Sequence, residues 1–288
     1  MNASVTDPVP RVSVVMPVLN PDADYLGRAV DSILGQTFGD FELLVIEDPS
    51  SRSAAPVLAQ RQDLRIRYIV NLERTSLVDQ LNRGLAEARG ELVARFDADD
   101  LCEPDRLEKQ VAFLDVHPQI GVLGTQLAIL DGEGRLCGRR DYPCDHDAIA
   151  GALARFNALA HPSVMFRKHL VVEAGGYNHR YLGNEDYELW CRLVARGVRL
   201  ANLRAALVRY RIHPGALKSA RLHSILRGTL EVKDTYWREQ MNLRARARYL
   251  GERLLLWLPA AWVLRLFMWT HYRGAPAARD GAAARPVN

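Results

Sequence analysis

Four short apolar runs, each closing on polar or acidic residues, divide the first hundred positions of this 288-residue chain. VSVVMPV (12–18) is apolar and β-branched, as a strand covered on both faces should be. Residues 23–36 follow with Leu26, Ala29, Val30, Ile33 and Leu34 at helical spacing. FELLVIED (41–48) reads as a second strand that ends on acids, and RIRYIV (65–70) as a third after another helical stretch. LVDQLNRGLAEARG (77–90) predicts an amphipathic helix with Leu77, Leu81, Leu85 and Ala88 on one side and Gly90 as its stop. ELVARFD (91–97) is the fourth strand. This alternation predicts an α/β fold, a mostly parallel, Rossmann-like sheet flanked by helices. Ligands bind at the carboxyl ends of such strands. Asn20, Glu47 with Asp48, and Asp97 to Asp100 all follow strand ends and should share one edge.

The pattern then changes. Residues 104–117 look helical, with Pro104 in the first turn. Residues 119–130 and 135–142 flank DGEG, a hairpin signal. HPSVMFR (161–167) reads as a strand, NEDYELWCRLVARG (184–197) as a helix and VRLANLRAALVRYRIH (198–213) as extended chain.

Composition adds less than charge does. The chain is 48% hydrophobic and 25% charged, which excludes a largely disordered protein. Cys102, Cys137, Cys144 and Cys191 form no CxxC pair, so neither a zinc site nor a disulfide framework is indicated. The N-terminus lacks the regions of a signal peptide, and a cytoplasmic chain is expected. From Arg221 onward twelve Lys/Arg stand against five Asp/Glu, although the net charge is only +4. A basic tail on a mildly acidic body points to an anionic surface as its partner. LLLWLPAAWVLRLFMW (254–269) is too short to span a bilayer, which takes about 20 residues. Trp257, Trp262 and Trp269, after Arg244, Arg246, Arg248 and Arg253, suit helices lying in the headgroup layer. Packing on the rest of the chain, or on a second copy, is the competing reading. The last residues, 274–288, read as a disordered tail.

The stretch RFDADD (95–100) concentrates the chemistry. Like charges this close repel, and burying them unpaired is costly. A hard divalent cation, bound by one or two carboxylates plus substrate phosphates, would offset that repulsion. A solvated acidic loop before the next helix is the alternative on these residues alone.

The stretch belongs to an ordered set: VSVVMPVLN (12–20), SILGQTF (32–38), LLVIEDPS (43–50), LNRGLAEARGELVARFDADD (81–100), GGYN (175–178), EDYELWCRL (185–193) and YRIH (210–213). In these motifs the chain resembles the family 2 glycosyltransferases, inverting enzymes of the GT-A fold. The resemblance implies a nucleotide-diphosphate sugar donor, UDP- or dTDP-linked, and Mn2+ or Mg2+ as cofactor. It implies transfer to a glycan or lipid-linked saccharide in cell-surface polysaccharide synthesis, with no nucleic acid partner. The catalytic domain would be residues 1–215, with a nucleotide-binding half at about 11–100 and an acceptor half at 101–215. The C-terminal helices, 216–273, would form a helical appendage on the cytoplasmic face of the membrane.

Carried over by position, Asp97, Ala98 and Asp99 match the family's DXD motif. Asp99 would be the main metal contact, Asp97 would bind ribose or metal, and Asp100 would ligate or fix the loop. Asp48 matches the nucleobase contact, but the usual Asp-Asp pair reads Glu47-Asp48 here, and Pro49 removes a backbone donor. Pro17, Val18 and Asn20 match the loop beneath the nucleotide. Arg74 and Asn82 fall where the family often faces the donor; a surface Arg and a helix-face Asn are the readings without it. Asp186 matches the catalytic base, with Glu185 positioning the acceptor or capping the helix. His213 would reach the metal, Arg211 a phosphate, and His161 the acceptor pocket unless it is a satisfied core histidine. Trp190 reads as core. A nucleotidyltransferase would normally carry a Gly-rich basic loop after its first strand, and VLNPDADYL is not one; a non-catalytic glycan or nucleotide binder is the other rival.

Overall fold

A computed structural model of the chain describes residues 9–212, 219–239, 241–259 and 262–263. The first half alternates strand and helix: β1 (Val12–Leu19), α1 (Ala23–Leu34), β2 (Phe41–Asp48), α2 (Ala55–Ala59), β3 (Ile66–Val70), α3 (Leu77–Glu87) and β4 (Leu92–Arg95). These strands lie parallel in the order β3-β2-β1-β4. The second half adds β5 (Leu101–Cys102), α4 (Arg106–Val116), β6 (Ile120–Leu130), β7 (Leu136–Arg140), α5 (His146–Leu153), β8 (Met165–Arg167), α6 (Lys168–Glu173), α7 (Glu185–Ala195), β9 (Arg199–Arg211), α8 (Ser219–Tyr236) and α9 (Leu243–Leu255). The sheet continues through β8, β6, β9 and β5, with β7 on β6. β8 runs antiparallel to both β4 and β6, so the sheet is parallel in its first half and mixed in its second.

Burial on both faces explains why the early strands are apolar without alternation. Val12, Val14, Met16 and Val18 of β1 pack in the layer with α1 and α4, whereas Val15 packs in the layer with α3. In β2, Leu43 and Val45 face the first layer and Leu44 and Ile46 the second. The helices close with the expected chemistry. Asp22 caps α1 by accepting from the N–H groups of Asp24 and Tyr25, and Ser76 and Asp79 form a reciprocal capping box on α3.

Two expectations need adjustment. α3 ends at Glu87, before Gly90. Gly90 is required by close approach to β1, since a Cβ there would stand 2.7 Å from the Ser13 nitrogen. HPSVMFR is not one strand: His161–Ser163 is a 3-10 turn, and only Met165–Arg167 pairs with neighbours. The C-terminal helices pack on the rest of the fold, the competing reading of that segment. Val232 of α8 and Trp237 just after it, with Met241 and Ala245, are buried in the same apolar cluster as Leu189, Trp190 and Leu193 of α7. The final residues, 274–288, and with them the expected tail, lie outside the described residues.

Candidate active site

The carboxyl ends of β1, β2 and β4 do converge. β1 is followed by Asn20, whose φ of 52° is the only positive value among described non-glycine residues. Asparagine tolerates this left-handed conformation better than most residues. Its backbone N–H donates to Ser50 Oγ at 3.0 Å, its Oδ1 accepts from Ser51 Oγ at 2.9 Å, and its carbonyl accepts from Arg52 Nη2 at 3.0 Å. Asn20 thus clamps the loop after β2 against the end of β1. Between them opens a cavity of about 450 Å³, lined by Pro17, Leu19, Asn20, Pro21, Asp22, Tyr25, Arg52, Asp97, Ala98 and Asp99.

Asp97, Asp99 and Asp100 bring one carboxylate oxygen each within 4.8 Å of the others at the cavity edge. Asp97 and Asp99 are half-buried, and Asp100 is fully buried. Asp100 Oδ1 accepts from the backbone N–H of Arg211 at 2.9 Å, while its Oδ2 is buried with no hydrogen-bond partner among the described residues. Burial, then the neighbouring Asp97 and Asp99, pushes its carboxyl well above the ordinary range. An oxygen-only donor set with an orphaned buried oxygen fits a hard cation such as Mg2+ or Mn2+. Asp100 also fixes the loop by its bond to β9.

A second acidic group lies at the start of α7. Asp186 Oδ1 accepts from the Tyr187 N–H at 2.7 Å, and Oδ2 from Asn157 Nδ2 at 2.6 Å. Burial raises its carboxyl above the ordinary range against the pull of those two bonds. Glu185 beside it is buried, bonded to the Gly183 N–H, and raised by burial and by Asp186. Arg95 connects the two acidic groups. It is 5% exposed at the end of β4 and paired with Asp97. Burial opposes its charge, but Asp97 holds it firmly protonated, and its field reaches Asp186 and Glu185.

The remaining expected residues divide by their contacts. Asp48 is buried, accepting from Asn71 Nδ2, from the Thr75 N–H at 2.8 Å and from Thr75 Oγ1; it organises the turn between β3 and α3. Glu47 likewise holds the Ala54 N–H at 2.8 Å, with Tyr68 and Ser53. Val18 is core, and its carbonyl accepts from Gln80 Nε2 at 2.9 Å. Asn82 binds both polar groups of the Tyr177 peptide, at 2.9 and 2.8 Å, as the positive φ of Gly175 and Gly176 turns that peptide toward α3. Arg211 is not itself among the residues that line the cavity, but it touches two that are: its Nε donates to the Asp99 carbonyl at 3.0 Å and its guanidinium lies 4.3 Å from the Tyr25 ring centre. His161 is buried, bonded to Tyr177 OH at 3.0 Å and edge-on to Trp190, and burial followed by Arg95 keeps it neutral. Trp190 is core. His213 lies outside the described residues.

Arg95, Asn157 and Arg52 did not emerge from the sequence. Arg95 carried a signal, a charge inside the apolar run LVARF; Asn157 carried none, because it reaches Asp186 only through the fold.

A profile of glycosyl transferase family 2 matches residues 13–166. The O-antigen biosynthesis glycosyltransferase WbnJ of Escherichia coli is 34% identical over 206 residues, covering 70% of this chain and 80% of its own. The chain belongs to glycosyltransferase family 2. Another member, the amylovoran biosynthesis glycosyltransferase AmsE of Erwinia amylovora, is 33% identical over 202 residues, 69% of this chain and 75% of its own. Among solved structures, the mannosyltransferase PcManGT of Pyrobaculum calidifontis, in complex with GDP-Man and Mn2+, superposes with a TM-score of 0.61 at 19% identity. That match covers 89% of this chain and 72% of the mannosyltransferase and identifies the fold as GT-A. This family 2 member is a glycosyltransferase, and its Asp97-Ala98-Asp99 stretch opens on the cavity edge.

Proposed function

We propose that this glycosyltransferase is metal-dependent and inverting, and that it moves a sugar from a nucleotide-diphosphate donor to a hydroxyl of a glycan or lipid-linked saccharide in cell-surface polysaccharide synthesis. The carrying observation is the Asp97, Asp99 and Asp100 cluster at the edge of a cavity of about 450 Å³. The names of WbnJ and AmsE support the polysaccharide setting.

Asp97 and Asp99, with Asp100 behind them, would hold the cation, which supplies charge neutralisation to the departing diphosphate. The chain's own residues do the rest. Pro17, Asn20 and Ala98 wall the cavity where the nucleotide sits. Arg52 at its rim is a cation within reach of phosphate. Asp186 takes the proton of the acceptor hydroxyl as its oxygen bonds to the anomeric carbon from the face opposite the diphosphate. The carbon–oxygen bond to the diphosphate breaks, and the nucleoside diphosphate leaves with that electron pair. The raised Asp186 carboxyl suits a base, because basicity rises with pKa. Glu185 orders the acceptor side.

The membrane-surface partner is part of the same reading. Arg244, Arg246, Arg248 and Arg253 of α9 are exposed, and so are Leu250, Leu254, Trp257, Leu258 and Trp262. Basic side chains beside exposed tryptophans match an anionic headgroup layer. No helix among the described residues is long and apolar enough to cross a membrane.

A thermal-shift panel of nucleotide sugars with and without Mn2+ tests the donor and the cation together, since a ligand of the folded state raises Tm. One nucleotide sugar should stand out only with metal, and Asp99→Ala should erase that increment. A donor shift indifferent to Mn2+ overturns the metal-dependent reading. Pyrophosphate as product, in place of a nucleoside diphosphate, overturns the transfer reaction.

A further inference from the structure

Asparagine is among the preferred N-cap residues. Asn184 precedes α7 and yet makes no capping bond with its side chain. Its amide is turned to α8: Nδ2 donates to the Ile225 carbonyl at 3.0 Å and Oδ1 accepts from Thr229 Oγ1 at 2.8 Å. Gly228 permits this approach, since a Cβ there would stand 2.5 Å from Asn184 Nδ2. The first turn of α7, which carries Asp186 and the Tyr187 N–H bound to Asp186 Oδ1, is therefore pinned to α8 at its leading residue.

The other oxygen of Asp186 leads to the same helix. Oδ2 is held by Asn157, on the loop after α5. Two residues earlier the Arg155 carbonyl accepts from Lys233 Nζ of α8 at 2.8 Å. Lys233 is 1% exposed, and Glu252 of α9 balances its charge. A buried ammonium without that partner would be strongly destabilising. Tyr236 adds a third tie, donating to Glu188 Oε1 at 2.6 Å one turn along α7.

We propose that α8 sets the position of the Asp186 carboxylate, with Thr229 and Lys233 as positioning residues that act through Asn184 and the Arg155–Asn157 loop. Both hydrogen bonds on Asp186 depend on backbone that α8 fastens. The proposal deepens the assignment of Asp186 as base and rests on that assignment for its catalytic meaning. The physical stake is large, because a displacement of about 1 Å costs a catalytic group on the order of 100-fold in rate.

The test uses the full chain and needs no substrate, so it stands or falls apart from the transferase reading. Thr229→Val keeps the shape of the side chain and removes the hydroxyl that binds Asn184; Thr229→Ser restores it. Two quantities are read: hydrogen exchange at the amides of residues 185–188, and the pH midpoint of the Asp186 carboxyl carbon signal, assigned as the one lost in Asp186→Asn. Asp186 is faced by Glu185 on its own helix, Arg95 of β4, Tyr177 and Cys191. None of these is altered by the substitution. Its bonds to Tyr187 and Asn157 pull the carboxyl down against burial. Loosening them should therefore raise the midpoint, and exchange in the first turn of α7 should quicken about tenfold or more, as expected of a locally opened segment. Thr229→Ser should match the wild type in both. Lys233→Met should raise the midpoint by the second route. Wild-type exchange and midpoint in Thr229→Val, or equal changes in Thr229→Ser, overturn the proposal.

Discussion

Asp186 is half-buried and Asp100 fully buried, and their surroundings ask different things of the two acids. Asp186 has two donors and lies in reach of Arg95, so its charged form is held in a raised but usable state. A base works when deprotonated. The rate should therefore fall as pH drops through an apparent pKa above the ordinary Asp value of about 4, and level off on the alkaline side. Asp186→Asn should lose roughly 100- to 10,000-fold in kcat with donor affinity retained, as removal of a general base does. Retained activity in that variant would remove Asp186 from the mechanism. Asp100 has one donor for two buried oxygens and two carboxylates beside it. Without metal, Asp100→Asn should relieve repulsion and stabilise the protein by about 1–3 kcal/mol at neutral pH, the scale of a buried unsatisfied group. With Mn2+ the order should reverse, because the wild type gains more from binding. Calorimetric scans of both proteins with and without the ion decide it; a less stable metal-free variant would mean that Asp100 serves the loop alone.

At the scale of elements, close approach and capping decide what hydrophobic spacing could not. β1, β2 and the helices on them are legible because each apolar side chain lands in one of two layers. The end of α3 is not, because Gly90 looks like a helix stop and is instead a point where two backbones touch. Gly90→Ala should lose about 1–3 kcal/mol, the usual cost of overpacking, seen as a lower Tm with the far-UV spectrum unchanged. Unaltered stability would show that β1 can shift to admit a methyl group. The same limit separates the expected site residues. Asn20 and the Asp97–Asp99 stretch reach the cavity, since strand ends in a parallel sheet share an edge. Asp48, Asn82 and Arg211 are bonded to Asn71 and Thr75, to the Tyr177 peptide and to the Asp99 carbonyl, partners distant in sequence.

For the whole molecule, the described residues from α8 onward have two faces. One joins the apolar cluster around α7 through Val232, Trp237 and Ala245. The other exposes Trp257 at 88% and Trp262 at 65% beside four exposed arginines. The purified protein should sediment with vesicles containing an anionic phospholipid and not with purely zwitterionic ones. Binding should weaken as salt rises, since screening acts over roughly 10 Å at 0.1 M. Trp257→Ser with Trp262→Ser should reduce binding while leaving Tm unchanged. Equal recovery in the supernatant with both vesicle types would assign this face to something other than a membrane.

The sequence by itself determined the layered α/β order, the edge on which ligands gather, and the carboxylates that make the family recognisable, because periodicity and strand-end position are local properties of a chain. Only the tertiary structure decided which of those polar residues face open space and which are bound to backbone, and it alone joined Arg95, Asn157, Asn184 and Thr229 into one support around Asp186. The reason is physical: a hydrogen-bond partner is chosen by distance in space, and residues tens of positions apart meet only after the sheet and its helices have packed.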